Sequence, residues 1–189
     1  PIIAHQIEKF KKEQKILILL GYLGDQVQEF VEAAYPERNI SFKKIKLFQG
    51  EGSGLTQTLT EAKNVIKESF IFMACDTLVK EEIQFLNKNW MGISNLKNEG
   101  NYRSIVKDSN NYVTDILEKH QSIYSNNAYI GLCEVHDYKL FWEEFFKLNN
   151  TDKELGESKG LRGLFDQKLL SKHFTWFDTG NKKALEHAK

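Results

Sequence analysis

Cysteine and proline are scarce in these 189 residues, two of each, and neither sign of charge prevails. Cys75 and Cys133 stand far apart inside apolar runs and form no CxxC pair. That spacing excludes a disulfide scaffold and a cysteine-rich zinc site, and it points to buried free thiols in a reducing, cytoplasmic setting. Lysine plus arginine equals aspartate plus glutamate at 26 each, so no net field recruits nucleic acid or an anionic membrane, and any phosphate site must be local. Apolar runs such as Ile16 to Leu20 are far too short to span a bilayer. The five histidines lack metal-ligand spacing, and no Ser/His/Asp grouping stands out. Internal repeats, low-complexity tracts and a signal-peptide pattern are absent as well.

What remains, 41% hydrophobic residues in 189, is enough for one domain with a sizeable core. Ile2, Ile3, Ile7 and Phe10 recur at helical spacing. Lys15 to Leu20 reads as a buried strand, broken by Gly21-Tyr22-Leu23-Gly24. Asp25 with Gln28 resembles a capping box ahead of an apolar stripe through Val27, Phe30, Val31 and Ala34. Ile40 to Leu47 is strand-like, with a bulge expected between Phe42 and Ile45. A helix with Leu59, Ala62, Val65 and Ile66 on its apolar side follows, then a strand from Phe70 to Cys75 that ends at Asp76. Strands alternating with helices predict an α/β fold: a doubly wound, mostly parallel, Rossmann-like sheet. After a short helix over Glu82 to Asn87, four strand-like runs (Trp90–Leu96, Tyr102–Lys107, Tyr112–Leu117, Asn127–Val135) predict an antiparallel excursion over about 90–135. Beyond it come a helix from Asp137 to Leu148, a polar stretch from Asn149 to Gly160 that reads as a mobile loop or lid, a helix from Leu161 to Leu170, a strand from His173 to Phe177, the turn Asp178-Thr179-Gly180-Asn181 and a terminal helix.

Gln49-Gly50-Glu51-Gly52-Ser53-Gly54 lies where a strand gives way to a helix. Three glycines in five residues let backbone approach a flat or anionic ligand, and the helix behind them offers free N–H groups. The bland reading, a plain turn, carries equal weight from these residues alone. In doubly wound sheets ligands bind at the carboxyl ends of strands, where this loop and Asp76 both fall. Asp76 and Asp178 each also read as ordinary turn aspartates. Trp90, Trp142 and Trp176 read as core or rim, though an aromatic wall would suit a quaternary ammonium.

Taken in order, Pro1-Ile2-Ile3, Gly21-Tyr22-Leu23-Gly24-Asp25, Gln49 through Gly54-Leu55, Asp76-Thr77, Glu118-Lys119, Asn127 to Gly131 and Trp176-Phe177-Asp178-Thr179-Gly180 resemble a known family. These are the nucleotidyltransferases that join a nucleoside triphosphate to a sugar 1-phosphate or phosphorylated alcohol and release pyrophosphate. The resemblance covers essentially the whole chain. It implies that Asp76 and Asp178 hold magnesium and are catalytic, and that Gln49, with the backbone of Gly52, Ser53 and Gly54 and with Asp76, binds the nucleotide. It implies that Glu118, Lys119 and Asn127 face the acceptor. It implies a soluble domain with a nucleoside triphosphate and a phosphorylated small molecule as partners, and is compatible with a homo-oligomer.

Departures are informative. The family's Gly-x-Gly-x-Arg loop, which would precede Pro1, is absent, and so is the central strand before it, so about 20 to 30 residues of a longer protein are expected ahead of Pro1. The proline usual after Glu-Lys is His120. Where sugar-specific members have Tyr-Gly, this chain has Tyr102-Arg103, and Arg103 is expected to hold a phosphate. That favours a phosphorylated alcohol or amine over a hexose 1-phosphate. A non-catalytic nucleotide-binding or scaffold relative is the alternative. A glycosyltransferase is disfavoured, because Ala74-Cys75-Asp76 stands where an Asp-x-Asp would be needed.

Overall fold

The computed structural model describes residues 1–95, 100–119, 125–147 and 155–180. The alternating half of the chain forms α1 (Ile2–Glu8), β1 (Ile16–Leu20), α2 (Gly24–Ala34), β2 (Ile40–Lys44), α3 (Leu55–Ala62) and β3 (Phe70–Met73). The rest forms β4 (Thr77–Val79), β5 (Trp90–Asn95), β6 (Ser104–Lys107), β7 (Val113–Leu117), β8 (Asn127–Val135), α4 (Tyr138–Lys147), α5 (Ser158–Arg162), β9 (Leu170–His173) and β10 (Trp176–Asp178). The α/β class is as expected, but the mostly parallel sheet is not: among the described strands only β1–β2 and β5–β9 pair in parallel, and the other pairings are antiparallel, because β8 recruits β3, β5 and β6 in that sense.

β8 is the spine. β5 runs antiparallel along one edge of it, so β6, paired at Ala128, and β3, paired from Leu132 to Val135, share the other edge. β7 extends β6 through the Asp108 to Asn111 hairpin, and β9 lies parallel to β5. β1 and β2 form a separate parallel pair, and β4 with β10 a short antiparallel one. Helix α1 straps the β1–β2 unit to the rest: Tyr35 and Arg38 donate to its backbone carbonyls at Ala4 and Ile7, Arg38 donates also to the Phe10 carbonyl just beyond it, and the Gln6 amide of α1 donates to the carbonyls of Ala74 and Thr77.

The main core forms where α4 lies on the large sheet. Phe141, Trp142 and Phe145, at i, i+1 and i+4, are buried and make edge-on and stacked contacts with one another and with Phe70. Each is worth about 1.5–3 kcal/mol in buried apolar surface. Phe146 stays outside, 44% exposed, which decides which phenylalanine faces inward. Trp90 is in the core and Trp176 is at the rim.

Several expectations need correction. The Asp25–Gln28 capping box does not form, because the helix starts two residues earlier than that box requires, at Gly24 behind a left-handed Leu23; Asp25 instead pairs with Lys44. β2 ends at Lys44 with an unbroken register, so there is no bulge before Ile45. α3 stops at Ala62, which leaves Val65 exposed. Glu82 to Asn87 is not helical: the backbone N–H groups of Leu86 and Lys88 donate to the buried Glu134 carboxylate, which also takes the Trp90 indole N–H. Within the expected lid, residues 155–160 are packed and begin α5, while 149–154 lie outside the described residues. The helix expected over Leu161 to Leu170 is only the end of α5 plus one turn of 3-10 helix at Phe165–Gln167, and the final strand is two, β9 and β10. Cys75 is exposed; Cys133 is buried as expected. His120 and the terminal helix also fall outside the described residues.

Candidate functional site

β1 and β2 are parallel, so their carboxyl ends lie on the same side. Beyond β2, Phe48 packs over Gly21, where a Cβ would lie 3.1 Å from the Phe48 Cβ, so the turn after β1 and the glycine loop are neighbours. Gly50, Gly52 and Gly54 have φ of 85°, 84° and 142°, a left-handed series that side chains resist. The loop is closed by the Ser53 hydroxyl, which donates to the Gly50 carbonyl at 2.7 Å. Its base is pinned by Glu61, which accepts from the Lys46 and Leu47 N–H groups, and those bonds lower the Glu61 pKa. Gln49 is exposed beside the loop, and Gly54 caps α3.

β3 stops at Met73, short of the Cys75 expected, and Asp76 sits in the turn after it, immediately before β4, where the pairing of β4 with β10 brings Asp178 to it, in register with Thr77. Thr179 donates to the Asp76 carbonyl through both its N–H and its hydroxyl, each at 2.9 Å. A Cβ on Gly180 would lie 3.1 Å from Asp76 Oδ2 and 3.2 Å from Asp178 Oδ1, so the two carboxylates close around a position that only glycine leaves open. Asp178 accepts from the Gly180 N–H through Oδ1, 2.9 Å, and from the Tyr102 hydroxyl through Oδ2, 2.8 Å. Burial first, and then this bond, push the Tyr102 phenol up to about 12, so it stays a donor.

The acceptor-side residues also gather, but in pairs. Arg103 precedes β6 and Glu118 follows β7, so they meet across the strands: the Arg103 Nε is 2.6 Å from Glu118 Oε2. A terminal nitrogen of Arg103 lies 3.8 Å from the buried Glu157. Glu118 also accepts from Ser158 and from Arg162, the latter at 2.8 Å. Arg103 was expected to hold a phosphate; its charge is instead engaged by two carboxylates. Asn127 begins β8 beside this cluster, half-buried, and Lys119 is exposed next to Glu118. The segment around Gly156 ties the two sides together, because its N–H donates to the Thr56 hydroxyl at the start of α3, 2.9 Å. A chain of contacts thus runs from the start of α3, behind the glycine loop, through the buried residues 156–158 to Arg103 and Glu118, and Tyr102, next to Arg103 in the chain, bonds Asp178.

Sequence reasoning missed Glu157, Ser158 and the Tyr102 hydroxyl. The only signal for Tyr102 was its place ahead of Arg103.

The aspartate pair suits a cation that takes few protein ligands. Among the described residues no group of three or more His, Cys, Asp or Glu side chains could hold a metal. Magnesium commonly uses one or two carboxylates and completes its shell with water and substrate phosphate. The exposed Asp76 carboxylate makes no hydrogen bond or ion pair with the described residues, and the space at Gly180 is open, so the donor set fits that ion.

No protein-family model matches the chain. The bifunctional protein GlmU of Methanocaldococcus jannaschii is 26% identical over 145 residues, 75% of this chain and 33% of that protein. The chain therefore spans about a third of that curated relative's length. A Bacillus anthracis protein assigned as a glucose-1-phosphate thymidylyltransferase superposes with a TM-score of 0.78 at 17% identity, over 100% of this chain and 80% of that one. UDP-glucose pyrophosphorylase gives 0.75 at 16%, over 100% and 85%. The CTP:phosphocholine cytidylyltransferase of Streptococcus pneumoniae gives 0.71 at 15%, over 100% and 83%. The chain has the fold these nucleotidyltransferases share. Among the described residues no helix is long and apolar enough to cross a membrane.

Proposed function

We propose that this domain transfers a nucleotidyl group from a nucleoside triphosphate to a small phosphorylated metabolite, with magnesium as cofactor and pyrophosphate as product. The observation that carries the reading is the β4–β10 pairing, which brings Asp76 and Asp178 together at the carboxyl end of β3. In the reaction a phosphate oxygen of the acceptor attacks the α-phosphorus, the bond to the bridging oxygen breaks, and pyrophosphate leaves in line. Magnesium, when bound, relieves the repulsion between two polyanions and stabilises charge developing at the α-phosphate. Asp76 and Asp178 would hold it. Gln49 offers an amide donor and acceptor to the base edge, and the left-handed glycines let the backbone come close. Lys119 and Asn127 present a compact charge and an amide to the acceptor, with Arg103 and Glu118 as a paired wall behind them.

Since Arg103 is engaged by Glu118 and Glu157, it no longer argues for a phosphorylated alcohol or amine. Relatives named for glucose-1-phosphate and for phosphocholine keep both acceptor classes in the reading. The reading also includes a further strand, with its phosphate-holding loop, between β1 and β3. Among the described strands each of these has a partner on one edge alone.

The test is a pyrophosphate-release screen of four nucleoside triphosphates against sugar 1-phosphates, phosphocholine and phosphoethanolamine, using the full-length protein. Turnover with one pair is expected, and Asp76→Asn should reduce it at least 100-fold, a loss of about 2.7 kcal/mol of transition-state stabilisation or more. Its melting temperature should be nearly unchanged, since the side chain is exposed at a strand end. Wild-type turnover in Asp76→Asn would remove that residue from the mechanism. No turnover with any pair would favour the non-catalytic relative.

A further inference from the structure

We infer that Tyr102 is a positioning residue for the cation site, its hydroxyl holding the Asp178 carboxylate in the orientation that faces Asp76. The inference rests on reading Asp76 and Asp178 as the metal-holding pair. Tyr102 lies just before β6, 76 residues from Asp178 in sequence, yet its hydroxyl reaches Asp178 Oδ2 at 2.8 Å. The ring that carries the hydroxyl is itself held. It stands edge-on to Trp176, centroids 5.0 Å apart and planes at 79°, and Trp176, two residues before Asp178, shares its face of β10. With the Gly180 N–H on Oδ1, both Asp178 oxygens have a donor. Rotation of the carboxylate would break both bonds. Each oxygen keeps a lone-pair direction for a cation, because a carboxylate accepts at about four sites.

Asp76 differs. Its backbone is fastened by Thr179, but its carboxylate is exposed and makes no hydrogen bond or ion pair with the described residues. One carboxylate is thus fixed in advance and the other adjusts. Pre-orienting one ligand reduces the ordering that binding must supply. A phenol suits this task better than a lysine or arginine would, because it fixes the carboxylate without placing a positive charge beside the incoming cation. The rival explanation is structural: the same bond would only fasten β10 to the large sheet.

Direct Mn²⁺ binding to the full-length protein, read from the electron paramagnetic resonance signal of the free ion, separates the two. The comparison is wild type, Tyr102→Phe and Asp178→Ala, each with its melting temperature. Tyr102→Phe keeps the ring and its contact with Trp176 and loses only the hydroxyl. It should bind Mn²⁺ about 10-fold more weakly, the low end for loss of an outer-shell partner, while melting as the wild type does; Asp178→Ala should lose the site. Wild-type Mn²⁺ affinity in Tyr102→Phe, with Asp178→Ala still defective, would overturn the positioning role and leave the metal pair standing. A loss of affinity matched by a fall in melting temperature would assign the bond to the fold and also overturn it. Equal binding by wild type and Asp178→Ala would sink the metal reading itself, and the role of Tyr102 with it.

Discussion

Glu157 is a buried carboxyl beside the buried Tyr129 and Cys133, with Arg103 the cation near it. Burial pushes it above the ordinary glutamate range, and Arg103 pulls the other way without cancelling the shift. A carboxyl raised in the folded state favours folding fully at pH below its unfolded value, and that contribution is lost as pH climbs through the folded value. Wild-type stability should therefore fall, relative to Glu157→Gln, as pH rises out of the usual carboxylate range. Urea midpoints of both proteins measured across that interval check this, and parallel curves would contradict it. The residues that act at a distance were the least legible ones. Asp76 and Asp178 were readable because each closes an apolar strand-like run, a local signature. The Tyr102–Asp178 bond joins residues that only the strand order brings together, whereas Arg103 and Glu118 meet across the local β6–β7 hairpin, where the residue types alone did not show that they would pair with each other. For that reason Arg103 looked like a cation waiting for phosphate.

At the scale of elements, hydrophobic period identified most helices and strands, and it erred where a polar partner overrode it. Glu82 to Asn87 has helical composition, but the Glu134 carboxylate captures the N–H groups a helix would have used. Leu155 to Gly160 is polar enough to read as a lid, yet Glu157, Ser158 and Lys159 are buried because Arg103, Glu118 and the face of Phe145 receive them. This segment also steadies the glycine loop through its hold on α3. Gly156 has φ +53°, and a Cβ there would lie 2.7 Å from Leu55 Cδ2 and 2.9 Å from Leu55 Cγ. Gly156→Ala should combine left-handed strain with that clash and cost about 1–3 kcal/mol of stability. Because Leu55 opens α3 directly behind Gly54, nucleotide affinity should weaken as well. Thermal melts with and without a nucleoside triphosphate would show both effects; an unchanged melting temperature would mean that the segment yields freely and is not a clamp.

For the molecule as a whole, alternation of strand and helix revealed the α/β class, but periodicity carries no information about strand order. That β3 runs antiparallel to β8 follows from which edges are free to pair, a property of the assembled sheet. The same property bears on how the sheet is completed. β1 and β3 are continuous apolar runs of the kind that is normally covered on both faces, yet every residue of β3 and all of β1 except Leu20 are only half-buried. Each is paired along one edge among the described strands, and α1 bridges from one unit to the other. Unpaired N–H and C=O groups along two apolar edges favour association with other chains. Residues 1–189 expressed alone should therefore bind a hydrophobic dye such as ANS, associate as concentration rises, bind triphosphate poorly and show no nucleotidyl transfer. A longer form that supplies a strand between β1 and β3 should suppress dye binding, stay dispersed and restore triphosphate affinity. Dye fluorescence, sedimentation and nucleotide titration on the two forms make the comparison. Full transfer activity from residues 1–189 alone would show that the triphosphate is held without a further strand, and the phosphate site would have to be rebuilt from the loop at Gly50 to Gly54 and its neighbours.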